Sequence, residues 1–284
     1  MTTTHTLAVP GGTLYYEVRG SGPVLVLTAS PMDARIFEPL AELLARDRTV
    51  VTHDPRGINR SRLDDPDGPS TPELRADDLA ALLDALGAEQ ADVVGSSGGA
   101  VAGLALVARH PGRVRTLVAH EPPLLTLLPD AAEQAAATEA LVETFHRDGL
   151  GAAMVAFLGQ AGWDDGDEAG QGDGALGGDD GGAGPGPGEP SAQDVADGSR
   201  FFAHEILPTT RYAPDVAALT DGTARVVVGV GEGSERLVTH PTSWALARLL
   251  GTAPISFPGD HHGFATHPEE FAEVLGDLLA HAAV

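Results

Sequence analysis

Apolar positions along this chain follow two rhythms. Short continuous runs of β-favouring residues, Val24-Leu25-Val26-Leu27-Thr28 and Thr49-Val50-Val51-Thr52-His53, have the pattern of strands covered on both faces. Longer segments repeat at the helical period. In Pro72 to Leu86, the residues Leu79, Leu82, Leu83 and Leu86 form one stripe, with Thr71 placed to cap the helix, Pro72 in its first turn and Gly87 to end it. The same reading predicts a strand over Thr13 to Val18 after a Pro10-Gly11-Gly12 turn, and a helix over Phe37 to Arg46. It continues with a strand at Asp92-Val93-Val94 running into Gly95, a helix over Ala100 to His110 and a strand over Val114 to Ala119. Strand and helix alternating at this spacing imply βαβ crossovers and a mostly parallel central sheet flanked by helices, the α/β class.

The alternation stops after Pro122. Ala131 to His146 and Leu150 to Leu158 have helical patterns with no strand between them. It resumes with a strand at Arg225 to Val230, a helix over Pro241 to Leu250, a strand at Pro254 to Phe257 and a last helix from Pro268 to about His281. The expected organisation is a core of residues 1–123 and 216–284, interrupted by a helical cap insertion over 124–215. Within the insertion, about 162–190 is crowded with Gly and Asp, lacks Lys and Arg, and has almost no apolar residue besides Trp163 and Leu176. Such a stretch buries too little surface to offset its ordering entropy, so a flexible acidic loop is expected. No nine-residue period with an apolar anchor supports a calcium-binding repeat there.

Composition narrows the partners. Among 284 residues, 17 Lys+Arg stand against 41 Asp+Glu, a net charge of −24 that disfavours nucleic acid and anionic membrane surfaces. Cysteine is absent, which removes disulfides, thiolate metal sites and a thiol nucleophile, and fits a reducing compartment. Met1 to Val9 has neither a basic region nor a long apolar run, and no segment has the roughly 18 apolar residues of a membrane span. A cytoplasmic location is therefore expected. The histidines, His110, His120, His204 and His240 among them, show no metal-ligand spacing, and no nucleotide-binding glycine motif follows a strand.

Gly95-Ser96-Ser97-Gly98-Gly99 fits G-x-S-x-G between a strand and a helix. A sharp strand-to-helix turn there strains the central residue and pushes the Ser97 hydroxyl out at the carboxyl edge of the sheet, where ligands bind in open α/β folds. A serine hydroxyl needs a base within hydrogen-bond reach. Gly259-Asp260-His261-His262-Gly263-Phe264, between a late strand and the last helix, offers two candidates, of which His261 is preferred over His262.

With these residues in place, the chain resembles the α/β-hydrolase superfamily, in its serine-nucleophile branch. The resemblance rests on the serine turn, on Asp54-Pro55-Arg56-Gly57-Ile58-Asn59-Arg60-Ser61 as a D-x-R-G-x-G-x-S-like loop, and on the late Gly-Asp-His. It implies Ser97 as nucleophile and His261 as base, with Asp54 and Arg56 bracing their loop. Two positions depart from the family pattern. Its His-Gly-x-Pro stretch is Thr28-Ala29-Ser30-Pro31 here, which leaves the Ser30 and Gly98 N–H groups as the implied oxyanion hole and Ser30 with a hydroxyl to add. The usual acid position after the late strand is Ser234, with Glu232 and Glu235 shifted to either side. Some branches, certain haloalkane dehalogenases among them, place the acid after the strand that follows the nucleophile helix; Glu121 in His120-Glu121-Pro122-Pro123 resembles such an acid, and Glu235 or Glu232 is the alternative.

The resulting expectation is a carboxylic-ester hydrolase acting on an ester, thioester or lactone through an acyl-enzyme on Ser97. Met32, Phe37, Leu124, Leu125, Leu127, Phe157, Phe201 and Phe202 are candidates for an acyl pocket, each equally suited to cap-to-core packing. No cofactor or metal is expected, and the partner is a small-molecule substrate, with a homodimer left open. Carbon–carbon bond hydrolysis and perhydrolysis use the same Ser and His. The alternative is a non-hydrolytic protein of this fold, a biosynthetic cyclase or a catalytically silent ligand-binding domain.

Overall fold

The structure, a computed structural model, describes residues 1–163 and 190–280. Its strands are β1 (Thr2–Val9), β2 (Gly12–Gly20), β3 (Val24–Thr28), β4 (Thr49–His53), β5 (Arg62–Leu63), β6 (Ala91–Ser96), β7 (Val114–His120), β8 (Arg225–Gly231) and β9 (Ile255–Phe257). They form one sheet in the order β1-β2-β4-β3-β6-β7-β8-β9, with the short β5 paired to β2. β1, β2 and β4 pair antiparallel, and from β4 onward every neighbouring pair is parallel. The helices, in chain order, are α1 (Glu38–Leu44), α2 (Pro72–Ala85), α3 (Gly98–Arg109), α4 (Ala131–Asp148), α5 (Leu150–Ala161), α6 (Ala192–Arg200), α7 (Ile206–Thr210), α8 (Val216–Asp221), α9 (Thr239–Leu249), α10 (Gly263–Thr266) and α11 (Pro268–Ala280).

The continuous apolar runs follow from burial on both faces. Val26, Val51 and Val93 point into a layer with α2, α3, α8 and α9. Their neighbours Leu25, Leu27, Val50 and Val94 point the other way, into a layer with α1, α10 and α11. Side chains alternate along a strand, so a strand with two covered faces needs apolar residues at successive positions. The first strand has no such requirement. Thr2–Val9 is an edge strand exposed over most of its length, Thr-rich and without a continuous apolar run, and the hydrophobic pattern passed over it. The pattern also missed β5 and the one-turn helices α8 and α10, which are too short to show a period.

Helices α4 to α7 leave the sheet after β7 and close on their own small core of Leu141, Ala153, Phe202 and Ile206. They cover the carboxyl ends of the strands. Between α6 and α7, Phe201–Glu205 winds as one π-helical turn. The cap is tied to the core by Arg200, which donates to the carbonyls of Pro66 and Gly68 at 2.7 Å, and by Asp197, which accepts from the Asn59 N–H at 3.0 Å. Most of the stretch expected as a flexible acidic loop, 164–189, lies outside the described residues, as does the end of the last expected helix at 281–284. Trp163, at the start of that stretch, is placed, its ring stacked on His262 at 5.6 Å between centroids. Among the described residues no helix is long and apolar enough to cross a membrane.

Candidate active site

The site begins where β6 turns into α3. Ser97 has φ 55° and ψ −125°, a backbone conformation that non-glycine residues rarely hold. Its N–H donates to the His120 carbonyl at 3.0 Å, which anchors the turn to β7. The flanking glycines are there for close approach. A Cβ on Gly99 would lie 2.3 Å from the Thr28 carbonyl oxygen and 2.6 Å from Ala29 Cα, and one on Gly95 would lie 2.5 Å from the Gly99 oxygen. The start of α3 is thus pressed against the end of β3, bringing Gly98 beside Ser30, with 3.0 Å between the Ser30 oxygen and a Cβ built on Gly98. Among the described residues neither the Ser30 N–H nor the Gly98 N–H has a hydrogen-bond acceptor. Both stand at the N-terminus of α3, whose dipole favours negative charge.

One strand further along, β7 ends in Glu121. This residue too is left-handed, at φ 51°, and its N–H is fixed by the Gly229 carbonyl of β8 at 3.0 Å. Its carboxylate is fully buried. Oε1 accepts from the Gly231 N–H at 2.8 Å, and Oε2 accepts from the Thr239 hydroxyl at 2.8 Å and pairs with His261 Nδ1 at 2.5 Å. Burial by itself raises a carboxyl pKa. Here the hydrogen bond to His261 and the charge of that ring outweigh it and hold Glu121 well below the usual carboxylate range. The strand order explains the meeting. β7 lies between β6 and β8, and the loop after β9 folds back toward it, so residues at positions 97, 121 and 261 converge at one edge of the sheet.

Under the pair lies His120, fully buried among Phe257, Phe264 and Phe271, with its ring 6.4 Å from that of His261 and its Nδ1 3.2 Å from Ser96 Oγ. Burial lowers its pKa to about 4, so the floor of the site stays uncharged near neutrality. His262 is lowered to about 4 in the same way, and its N–H donates to Asp260 Oδ1 at 2.8 Å, a contact that braces the loop.

Ser97, Gly98, Ser30, His261 and His262 line one cavity of about 350 Å³. Its remaining wall is mostly apolar and comes largely from the cap: Leu141, Met154, Phe157, Phe201 and Ile206, with Met32 and Leu125 from the core loops. Of the residues expected to line a pocket, Met32, Leu125, Phe157 and Phe201 do. Phe37 does not. It is 1% exposed, packed on the ring of Phe264 at 4.8 Å in the core layer beside α1. Leu124 is fully buried in the opposite core layer, Leu127 packs against that layer, and Phe202 belongs to the cap core. A sequence shows that a residue is apolar but not which way its backbone turns it, and these four are turned into packing.

The alternative acids lie elsewhere. Glu232 and Glu235 are both exposed on the loop after β8, while Ser234 between them is buried. Asp54 and Arg56 act as braces. Asp54 accepts from the Ala34 N–H at 3.0 Å and from the Arg60 guanidinium, and Arg56 makes two hydrogen bonds to Asp78 at 2.8 and 2.7 Å. The Ser30 hydroxyl, expected to face the oxyanion, instead donates to Glu205 Oε2 at 2.6 Å. Glu205 had no signal in the sequence, and neither had Thr239 nor the contact of Trp163 with His262. Among the described residues no group of three or more His, Asp and Glu could hold a metal ion.

The chain and its fold resemble known proteins. Residues 22–152 match the family model described as the alpha/beta hydrolase fold. The chain is 32% identical over 280 residues to an uncharacterized hydrolase, YraK, of Bacillus subtilis, covering 96% of this chain and 95% of that one. It is 40% identical over 108 residues to a putative carbamate hydrolase, RutD, of Caulobacter segnis, covering 36% of this chain and 40% of that one. Among solved structures, a thermophilic esterase from Thermogutta terrifontis superimposes with a TM-score of 0.74 at 20% identity over all of both chains. The chain belongs to the α/β-hydrolase family.

Proposed function

We propose that this protein is a serine hydrolase that cleaves a carboxylic ester, thioester or lactone of a small-to-medium apolar substrate. In this reading Ser97 attacks the carbonyl carbon, and His261 takes the hydroxyl proton, then delivers it to the leaving oxygen or sulfur. The acyl group is carried on Ser97 until water, activated by the same imidazole, releases the acid. Glu121 holds the ring with Nδ1 toward the carboxylate, keeping Nε2 for the serine, and stabilises the imidazolium formed in each step. The Ser30 and Gly98 N–H groups meet the oxyanion, and preorganised donors of this kind contribute about 2.7–4 kcal/mol each. No step calls for a cofactor.

The observation that carries the reading is the 2.5 Å contact between a buried, multiply hydrogen-bonded Glu121 and His261, whose ring lines the cavity that Ser97 also lines. The mostly apolar wall and the limited volume support an acyl group of modest size. A carboxylate nucleophile, as a dehalogenase or epoxide hydrolase of this fold would use, has no place where Ser97 stands. A fluorophosphonate probe tests the proposal. Wild type is expected to label at Ser97 and to hydrolyse p-nitrophenyl butyrate, with both lost in Ser97→Ala. A folded wild type that never labels overturns it in favour of a catalytically silent domain.

A further inference from the structure

One polar group in the cavity wall has no part in the proposed acyl transfer. Glu205 lines the cavity yet is 1% exposed. Its Oε2 takes the Ser30 hydroxyl and lies 3.6 Å from the Arg75 guanidinium. Its Oε1 is buried and has no hydrogen-bond partner among the described residues. Arg75 is itself buried, donates to Thr209 at 2.5 Å, and adjoins Gly98.

Stability alone does not account for this arrangement. A buried ion pair is often no better than an apolar pair of the same volume, and a buried carboxylate oxygen left unpaired costs about 1–3 kcal/mol. The surrounding wall, Met154, Phe157, Phe201 and Ile206, is what an apolar replacement would extend. The backbone is also unusual at this point. Glu205 ends the π-helical turn Phe201–Glu205, and such turns inside helical segments are frequent at functional sites. Arg75 Nη1, itself without an acceptor among the described residues, is 3.6 Å from Oε2 and balances the charge of the carboxylate, so the unmet need at Oε1 is for a hydrogen, not for a cation.

We propose that Glu205 is a specificity-determining residue whose Oε1 accepts a hydrogen bond from a neutral donor, a hydroxyl or an amide N–H, carried by the substrate close to its scissile carbonyl. The proximity follows from Ser30, which contributes its hydroxyl to Glu205 and its N–H to the oxyanion hole. The inference rests on the acyl-transfer reading of Ser97. A site built around an unpaired acceptor discriminates against the analogue that lacks the donor, because that analogue leaves the acceptor desolvated and unmet.

The test compares kcat/KM for p-nitrophenyl butyrate with the α-hydroxybutyrate, β-hydroxybutyrate and N-acetylglycine esters, each divided by its own alkaline hydrolysis rate. Wild type is expected to prefer at least one donor ester over butyrate by tenfold or more, and the arm that wins tells hydroxyl from amide. Glu205→Gln, which presents an N–H₂ in place of one oxygen, is expected to shrink that ratio to within twofold or invert it. Should Glu205→Gln fold poorly, Arg75→Met/Glu205→Leu removes both charges together and is expected to abolish the ratio as well. Because a ratio is read, activity lost equally on all esters cancels. A wild type with no preference above twofold, or a preference unchanged in the variants, overturns the proposal while leaving the Ser97 reading intact. Hydrolysis of every ester by Ser97→Ala at the wild-type rate overturns both.

Discussion

The two sides of the cavity are made by different means. On the sheet side, the candidate site is shaped by the backbone. Ser97 and Glu121 hold left-handed conformations, glycines let α3 touch the end of β3, and strand order brings together positions far apart in the chain. On the cap side, the cavity is shaped by side-chain volume, with Leu141, Met154, Phe157, Phe201 and Ile206 presented by helical segments that have a small core of their own. The first kind of site is intolerant of change, because strained backbone and a carbonyl at contact distance have nowhere to move. The second kind tolerates change, because a side chain can be trimmed or enlarged without moving the backbone.

Substitutions should separate the two sides by size of effect. Glu121→Gln keeps the shape of the acid but removes its charge, and kcat/KM is expected to fall by about 10³–10⁴-fold with the fold retained. If the fall occurs instead in Glu235→Gln, the acid has been assigned to the wrong strand end. Gly99→Ala places a methyl group against the backbone of Thr28 and Ala29, and urea unfolding should show a loss of about 3 kcal/mol together with weakened catalysis, since Ser30 and Gly98 are displaced. An unchanged midpoint would mean that the contact yields easily.

Acid should weaken the core side next. Burial holds the pKa of His53, His120 and His262 at about 4, while in the unfolded chain each returns to about 6.5. Between those values the unfolded state binds more protons, so stability rises with pH across that window and falls on acidification. Glu121, depressed when folded, adds a further loss once the pH drops below the ordinary carboxylate range. Tm is expected to be flat from pH 8 to about 7 and to decline between about 6.5 and 4. A Tm independent of pH in that interval would show these rings to be solvated. The smallest effect belongs to the cap. Phe157→Ala enlarges the cavity and should raise KM for short acyl esters several-fold while leaving kcat within about threefold, because ground-state and transition-state binding are lost alike. An equal fall in kcat would place Phe157 against the reacting atoms.

Much of the core side could be read from the chain alone. Continuous apolar runs marked strands with two covered faces, and the 3.6-residue stripes marked α2 and α3 and most of α11. The glycines around Ser97 signalled a turn that only a backbone without Cβ atoms can pack, and a histidine after a late strand supplied the base candidate. Sequence spacing left three carboxylates in play for the acid. Which of them meets His261 depends on tertiary structure, because only strand order places the end of β7 between β6 and β8 and turns Glu121 inward while Glu232 and Glu235 face solvent. The same holds for Phe37 and Leu124, apolar residues that pack into the core beside the cavity, and for Glu205, whose partners Ser30 and Arg75 stand 175 and 130 positions earlier in the chain. Local chemistry writes itself into short stretches of sequence. Which side chains meet across the fold depends on how distant segments are packed, and no short stretch carries that information.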